Sequence, residues 1–135
     1  MVRSGQSLGS WGEQAVAIFL EQHGYQILER NARTKYGEID IIALQLSGEP
    51  GDASSAIYPL PVVVFVEVKT RQTRSLGPPE ISVNERKKQH LLDSILAYMQ
   101  AHTDLPGSWR IDVIAVQRPL SGGSPEIIHF ENAFS

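Results

Sequence analysis

The chain has 135 residues, of which 41% are hydrophobic and none is cysteine, and its formal net charge is −3. This length is close to the commonest size of one domain, so we expect a single domain over residues 1–135. The lack of cysteine excludes disulfides, thiolate zinc sites and cysteine nucleophiles. No apolar run is long enough to span a membrane and the N-terminus lacks the apolar segment of a signal peptide, so we expect a cytoplasmic protein without membrane contact.

The first predicted element is a helix over residues 10–25, SWGEQAVAIFLEQHGY, with Gly24 as its stop. The positions at helical spacing are Trp11, Ala15, Ile18, Phe19 and Gln22. We expect this helix to cover one face of a β-sheet.

Two strands then follow closely enough to form a hairpin. The first spans Tyr25–Arg30, a turn covers Arg33–Gly37, and the second strand is EIDIIALQL at Glu38–Leu46. Residues 47–61 are rich in Gly, Pro, Ser and Asp and have no periodicity, which predicts a flexible loop insertion between two strands.

The segment Val62–Lys69, VVVFVEVK, is apolar on both faces before Glu67, which is typical of a central strand covered on each side. A second helix is predicted from a capping box, with Ser82 as N-cap and Glu85 three residues later, to about Ala101. Its apolar stripe is Leu91, Leu92, Ile95, Tyr98 and Met99.

Trp109–Val116 is predicted to be a further core strand and Glu126–Phe130 an edge strand. A strand, a long helix and a strand predict a crossover that makes the strands at Val62–Lys69 and Trp109–Val116 parallel neighbours. The expected fold is α/β, with a mixed β-sheet flanked by helices.

Charged residues interrupt these apolar strands at a few places. Alternation puts Glu67 and Lys69 on one face, and it puts Asp40 on the face of Glu38 and Ile42, opposite a face formed by Ile39, Ile41 and Ala43. If the two strands pair, the carboxylates of Asp40 and Glu67 come within reach of one cation, which would offset their repulsion. Oxygen-only ligation suits Mg²⁺ or Mn²⁺ rather than Zn²⁺.

Lys69 would stand beside such a cation. Its ammonium can polarise an attacking water or stabilise charge that grows on a phosphate oxygen. An Asp, a Glu and a Lys around a metal are the groups needed to hydrolyse a phosphodiester. Taken alone, a Glu-x-Lys on a strand is more often an ion pair at a sheet rim.

Asp40 in GEIDII, Glu67-Val68-Lys69 in FVEVKTR and Glu13 on the preceding helix resemble the signature of the PD-(D/E)xK nucleases, the restriction-endonuclease-like superfamily. The resemblance to the YraN-like family of small proteins is closer still and covers nearly the whole chain. In motif order the chain is also similar to archaeal Holliday-junction resolvases. This resemblance implies an α-β-β-β-α-β core in which Asp40 and Glu67 bind Mg²⁺ or Mn²⁺, Val68 adds its carbonyl oxygen, Lys69 assists the nucleophile and Glu13 completes or orients the metal site.

Two features depart from the superfamily pattern. Ile39 stands where the superfamily name has proline, and the loop at 47–61 is longer than a tight connection between the metal strands. Glu13 also has a simpler explanation, because the helix dipole favours a glutamate in the first turn of a helix. Asp112 is expected to be a buried hydrogen-bond acceptor rather than a ligand.

Three basic residues are candidates for nucleic-acid binding. Arg33 and Arg71 flank the proposed site in sequence, and Lys87 lies in the first turns of the second helix, where it could meet a phosphate. The alternative for each is a solvated surface charge. The net charge argues against a nucleic-acid partner, but the clustering of basic residues around positions 69–88 leaves a local basic patch possible.

The leading hypothesis is a metal-dependent endonuclease that hydrolyses DNA phosphodiester bonds, in branched or otherwise structured DNA. The alternative is a non-catalytic module that keeps the nuclease fold and binds nucleic acid or assembles with other proteins. A homodimer is attractive under the first hypothesis, because two sites could cut two strands.

Overall fold

The computed structural model describes residues 7–46, 60–73 and 84–134. The elements in these ranges are α1 (Leu8–Gln22), β1 (Tyr25–Thr34), β2 (Gly37–Gln45), β3 (Val62–Thr73), α2 (Glu85–Ala101), β4 (Trp109–Pro119) and β5 (Glu126–Phe130). The strands form one sheet in the order β1-β2-β3-β4-β5, with β3 and β4 parallel and the other neighbours antiparallel. This mixed sheet between two helices is the predicted α/β, restriction-endonuclease-like fold, and it contains the α-β-β-β-α-β core with β5 added at the edge.

The sheet is covered on both faces. Val16 and Leu20 of α1 pack with Val64 on one side, and Ile95 of α2 packs with Phe65 on the other. Consecutive residues of β3 therefore enter two different cores, which explains why its apolar run shows no alternation with polar residues.

Helix α1 begins two residues earlier than predicted, at Leu8, and ends at Gln22, just before the predicted stop at Gly24. Its buried face also differs from the prediction. Its C-cap is His23, and Gly24 follows with a φ of +86°. The fully buried positions are Gly12, Val16, Ala17 and Leu20. Ile18 is 46% exposed and Gln22 is exposed, so the prediction is wrong for these two, whereas Trp11, Ala15 and Phe19 pack at the edge of the core. The helix is thus rotated about its axis relative to the prediction, because Gly12, which has no side chain, makes the closest approach to the sheet.

Helix α2 begins two residues later than predicted. Its N-cap is Asn84, whose Oδ1 accepts a hydrogen bond from the Lys87 backbone N–H at 2.8 Å. Ser82, the predicted N-cap, lies outside the described residues. The end of the helix at Ala101 is confirmed, and so is its apolar stripe, with Leu91, Ile95 and Tyr98 buried and Leu92 and Met99 packed against them.

The β1–β2 hairpin is confirmed, with β1 four residues longer than predicted and the turn reduced to residues 35 and 36. The predicted alternation on β2 is wrong at Ile39. Ile39 lies in the core beneath α2, whereas Ile41 lies in the core beneath α1. The switch occurs across Asp40, which, from the register of its neighbours, stands opposite Asn31, a residue with a left-handed φ of +53°. A residue in this conformation interrupts the pleat, so the facing pair switches sides.

The remaining predicted pairings are also present. β2 runs antiparallel to β3 from Gln45↔Val62 to Ile41↔Val66, and β3 is parallel to β4 across the α2 crossover. β5 forms the predicted edge strand. Apart from residues 60 and 61, the predicted loop lies outside the described residues. Within the described ranges, neither helix has the length and apolar character needed to cross a membrane.

A buried polar network ties β4 to β5 and to the segment that follows it. Asp112, fully buried, accepts hydrogen bonds from the Arg110 guanidinium at 3.0 Å, from the His129 ring at 2.6 Å and from the Asn132 backbone N–H at 2.9 Å. Burial alone would raise the pKa of Asp112, but the hydrogen bonds from His129 and Arg110 outweigh it and lower the pKa. The prediction that Asp112 is a buried acceptor is confirmed.

Candidate metal centre

Asp40 lies where two strands of the sheet separate. The pairing of β2 with β3 ends at Ile41↔Val66, and beyond it the Val68 backbone N–H donates to Asp40 Oδ2 at 2.9 Å. A side-chain carboxylate thus takes the place of a strand carbonyl as the acceptor. The carboxylate is held in the gap between the strands, at the rim of the sheet.

Glu67 follows Val66, the last residue of β3 that pairs with β2, and its carboxylate contacts two lysines. Its Oε1 lies 3.6 Å from Lys69 Nζ and 2.9 Å from Lys87 Nζ, and the Glu67 side chain is 13% exposed. Lys69 is two residues further along the same strand and therefore on the same face. Lys87 reaches Glu67 from the first turn of α2, because Asn84 begins the helix at that point.

The carboxyl group of Asp40 is strongly perturbed. Burial raises its pKa, the adjacent charge of Glu67 raises it further, and the hydrogen bond from the Val68 N–H only partly offsets these effects. Weaker contributions come from Glu13 and Glu38, and the resulting pKa is about 7. Asp40 is therefore about half protonated near neutral pH, and a cation beside it would favour the ionised form.

Glu13 joins this group from α1 through an amide bridge. With the Asn31 amide nitrogen turned toward the carboxylates, it donates to Glu13 Oε1 at 2.8 Å and to Glu38 Oε1 at 2.9 Å. Burial raises the pKa of Glu13, Arg30 opposes the shift, and Glu38 and Glu67 add to it. Glu13 lies in the second turn of α1, beyond the first turn in which the helix dipole acts. The dipole explanation for this residue is therefore weak.

The two lysines at Glu67 differ in proton affinity. Burial lowers the pKa of Lys69, the hydrogen bond with Lys87 lowers it further, and Glu67 opposes the shift. The pKa of Lys87 is raised, first by its hydrogen bond with Lys69 and then by that with Glu67. Of the pair, Lys69 gives up its proton more readily.

The structure brings together most of the residues singled out in the sequence. Six of these residues meet at this rim of the sheet: Asp40, Glu67, Val68, Lys69, Glu13 and Lys87. Arg33 lies at the outer margin of the site, with its side chain 87% exposed and its Nε 3.6 Å from Glu38 Oε2. Arg71 is half-buried on β3, two residues beyond Lys69.

The donor set fits a hard divalent cation. Among the described residues, no three His, Asp or Glu side chains are placed to hold a metal ion by themselves. Mg²⁺ does not require three, because it usually binds through one or two carboxylates and completes its shell with water and substrate phosphates. Asp40 and Glu67 supply two carboxylates, and Val68, whose N–H contacts Asp40, has its carbonyl on the same strand.

Sequence reasoning missed Asn31 altogether, and it placed Glu38 on the face of Asp40 without naming it as a residue of the site. Alternation gave no reason to place Asn31 near the acids, because its left-handed φ changes the direction of its side chain. The available signal was the hairpin itself. A tight turn at residues 35 and 36 fixes the register and sets Asn31 opposite Asp40.

The fold and the Asp-Glu-x-Lys arrangement on adjacent strands define the class, which is a PD-(D/E)xK nuclease-like protein. The chain belongs to the uncharacterised protein family UPF0102, the YraN family, whose family model matches residues 12–116. It is 39% identical over 129 residues to a UPF0102 protein of Geobacter metallireducens, covering 96% of this chain and 93% of that protein. A UPF0102 protein of Pelobacter propionicus is 40% identical over 96% of this chain and 83% of its own length. A third, from Herpetosiphon aurantiacus, is 35% identical over 97% of this chain and 96% of its own. The resemblance stated from the motifs is confirmed.

Proposed function

We propose that this protein is a Mg²⁺- or Mn²⁺-dependent endonuclease that hydrolyses phosphodiester bonds in structured or branched DNA. The observation that carries the proposal is the position of Asp40, next to Glu67 in the gap between β2 and β3, with its pKa raised to about 7. Perturbed pKa values cluster at functional sites, where burial and neighbouring like charges are arranged to shift them. Membership of a family in the PD-(D/E)xK superfamily supports the same conclusion.

Asp40 and Glu67 would hold the cation with their carboxylate oxygens, and Val68 would add its backbone carbonyl. Glu13, tied to Glu38 through Asn31, would bind or orient a water of the coordination shell. A cation held there would supply polarisation of the phosphoryl group and would lower the pKa of a water molecule. The proposed reaction is direct attack by water, without a covalent enzyme intermediate.

The lysines provide proton transfer and charge. The lowered pKa of Lys69 makes its neutral amine more accessible than that of an ordinary lysine, and this amine would accept a proton from the attacking water. Lys87 stays charged and orients Glu67 through its 2.9 Å contact. Lys87 is thus a positioning residue in this proposal, in addition to the phosphate contact expected from its place in α2.

One observation favours the non-catalytic alternative. Lys69 and Lys87 already neutralise Glu67, and such a carboxylate has less need of a metal ion. A nucleic-acid-binding module that keeps the fold would have the same ion pairs. Cleavage separates the two possibilities, because only the first requires a metal-dependent product.

The test incubates the wild-type protein and Asp40→Asn with labelled duplex, single-stranded and four-way-junction DNA in Mg²⁺, Mn²⁺ or EDTA. We expect the wild type to cut in either metal, fastest on the junction, and Asp40→Asn to lose at least 100-fold in rate. The matched control is Asp104→Asn, the same substitution at an exposed aspartate outside the site.

Cutting by Asp40→Asn at the wild-type rate would refute the assignment. Absence of any product with salt-dependent junction binding retained would favour the binding module instead. Equal loss in Asp104→Asn would show that the preparation, rather than the site, is responsible.

A further inference from the structure

A cleft opens beside the candidate metal centre, between the β1–β2 turn and α2, with a volume of about 190 Å³. Its lining includes Tyr36, Gly37, His90, Leu91, Ser94 and Phe134. Glu67 and Lys87 also border the cleft, so it is continuous with the proposed site of cleavage.

The size of the cleft limits what it can hold. Pockets for drug-sized ligands measure roughly 300–1,000 Å³, so this cleft is too small for such a molecule and suits one compact group. An intact duplex or an α-helix is far too wide to enter it.

Two aromatic rings border the cleft, and a lysine ammonium lies near each of them. Lys35 Nζ lies 5.1 Å from the centre of the Tyr36 ring, and Lys88 Nζ lies 5.8 Å from the centre of the Phe134 ring. An aromatic face beside an ammonium is the combination that single-stranded nucleic acids use, since the ring stacks on a base and the cation meets the backbone. Tyr36 is 41% exposed, which leaves part of its surface accessible.

The largely apolar cleft has a hydroxyl group in its lining. Ser94 is 1% exposed, and its Oγ accepts a hydrogen bond from the Thr34 hydroxyl at 3.0 Å. A Cβ placed on Gly37 would lie 3.6 Å from Ser94 Oγ, so a side chain at that position would cover this hydroxyl. The hydroxyl of Ser94 and the ring of His90 offer donors and acceptors to the edge of a planar heterocycle.

We propose that this cleft binds one unpaired nucleobase of a DNA strand whose phosphate lies at Lys87 and the metal centre. The proposal rests on the proposed function and names its substrate class more narrowly. A base in a continuous duplex is stacked and paired, and extracting it costs a few kcal/mol. The cleft therefore favours single strands, flaps and junctions with unpaired bases over uninterrupted duplex.

The test measures binding in EDTA, so it is independent of cleavage. Fluorescence anisotropy gives the affinity for single-stranded DNA and for duplex DNA, and 2-aminopurine placed in the single strand reports stacking. We expect Tyr36→Leu and Phe134→Leu to weaken single-strand binding by about 5- to 150-fold and to abolish the 2-aminopurine change. Duplex affinity should change less than twofold.

Tyr36→Phe is the matched control, because it keeps the stacking ring and should bind like the wild type. Phe134 packs against the core, so thermal unfolding is measured for each variant, and the exposed Tyr36 decides the question if Phe134→Leu is destabilised. Unchanged single-strand binding in Tyr36→Leu, or equal losses for duplex and single strand, would overturn the proposal. Metal-dependent cleavage by that variant would still leave the proposed function standing.

Discussion

Burial and the charge of Glu67 raise the pKa of Asp40 from an ordinary 3.8 to about 7. The folded protein therefore binds this proton more tightly than the unfolded chain does. Ionising Asp40 makes the native state less stable as the pH rises from about 4 to about 7. Ionised Asp40 thus lowers the free energy of unfolding, as expected for a carboxylate that is positioned for a ligand rather than for the stability of the fold.

Asp40→Asn should remove this cost, because Asn keeps an oxygen for the Val68 N–H and has no charge. In EDTA at pH 8 we expect the variant to be more stable than the wild type by about 1–3 kcal/mol, and the difference to shrink at pH 5. Thermal unfolding at the two pH values measures it. A difference independent of pH would contradict the perturbed pKa.

Lys87→Ala tests the second lysine. The hydrogen bond with Lys87 lowers the pKa of Lys69, so removing Lys87 should raise that pKa toward its ordinary value. If neutral Lys69 accepts the proton of the attacking water, the pH at which the cleavage rate is half-maximal should move upward. The pH–rate profile is compared with that of Arg86→Ala, a neighbouring exposed cation. A lower rate with an unshifted profile would leave Lys87 only a binding role.

The elements position these residues through a close helix–strand contact. A Cβ on Gly12 would lie 2.0 Å from Thr70 Oγ1 and 2.7 Å from its Cγ2, and Thr70 is on β3 three residues after Glu67. Only glycine allows α1 to approach the strand this closely. The contact sets the height of Glu13, the next residue on the helix, above the rim of the sheet.

Gly12→Ala should therefore destabilise the protein by about 1–3 kcal/mol, since α1 must move away from β3. Gly9→Ala is the control at another glycine of the same helix, where nothing lies within 4 Å of the added Cβ. That change should leave stability unchanged or raise it by up to about 1 kcal/mol. Denaturant unfolding of both variants measures the effect, and equal stability of the two would show that the Gly12 contact is not tight.

The order of the elements followed from sequence periodicity, because long apolar runs and turn residues report strands and connections directly. The buried face of α1 did not follow, since a hydrophobic pattern gives no weight to a glycine and Gly12 makes the closest contact. The N-cap of α2 was also not predicted. The capping box pointed to Ser82, whereas the structure shows that the Asn84 side chain accepts the Lys87 N–H.

At the scale of the whole molecule, the topology joins residues distant in sequence into one site. Four elements contribute to the site: α1 provides Glu13, β2 Asp40, β3 Glu67 and α2 Lys87. The alternation of side chains along β3 correctly predicted that Glu67 and Lys69 share a face. It could not predict that Asp40 bonds across the gap to β3, because that depends on where the β2–β3 pairing stops. Nor could it predict Lys87 at Glu67, since the crossover helix sets that distance.

Asp112, on β4, has the opposite electrostatic environment to that of Asp40. Asp112 is fully satisfied by Arg110 and His129, and its pKa is lowered rather than raised. The two aspartates therefore differ: the partners of Asp112 stabilise its ionised form, whereas the surroundings of Asp40 destabilise it. Of these two, Asp40 is the one whose ionised form the proposed cation would stabilise.

Thermal unfolding in a Mn²⁺ titration tests this central claim most directly. A ligand of the native state stabilises it, by about 2.7 kcal/mol at 100 times its dissociation constant. At pH 7.5 we predict that Mn²⁺ raises the melting temperature of the wild type and of Asp104→Asn by several degrees, and that Asp40→Asn and Glu67→Gln respond little. No shift in the wild type, or an equal shift in Asp40→Asn, would contradict the metal centre.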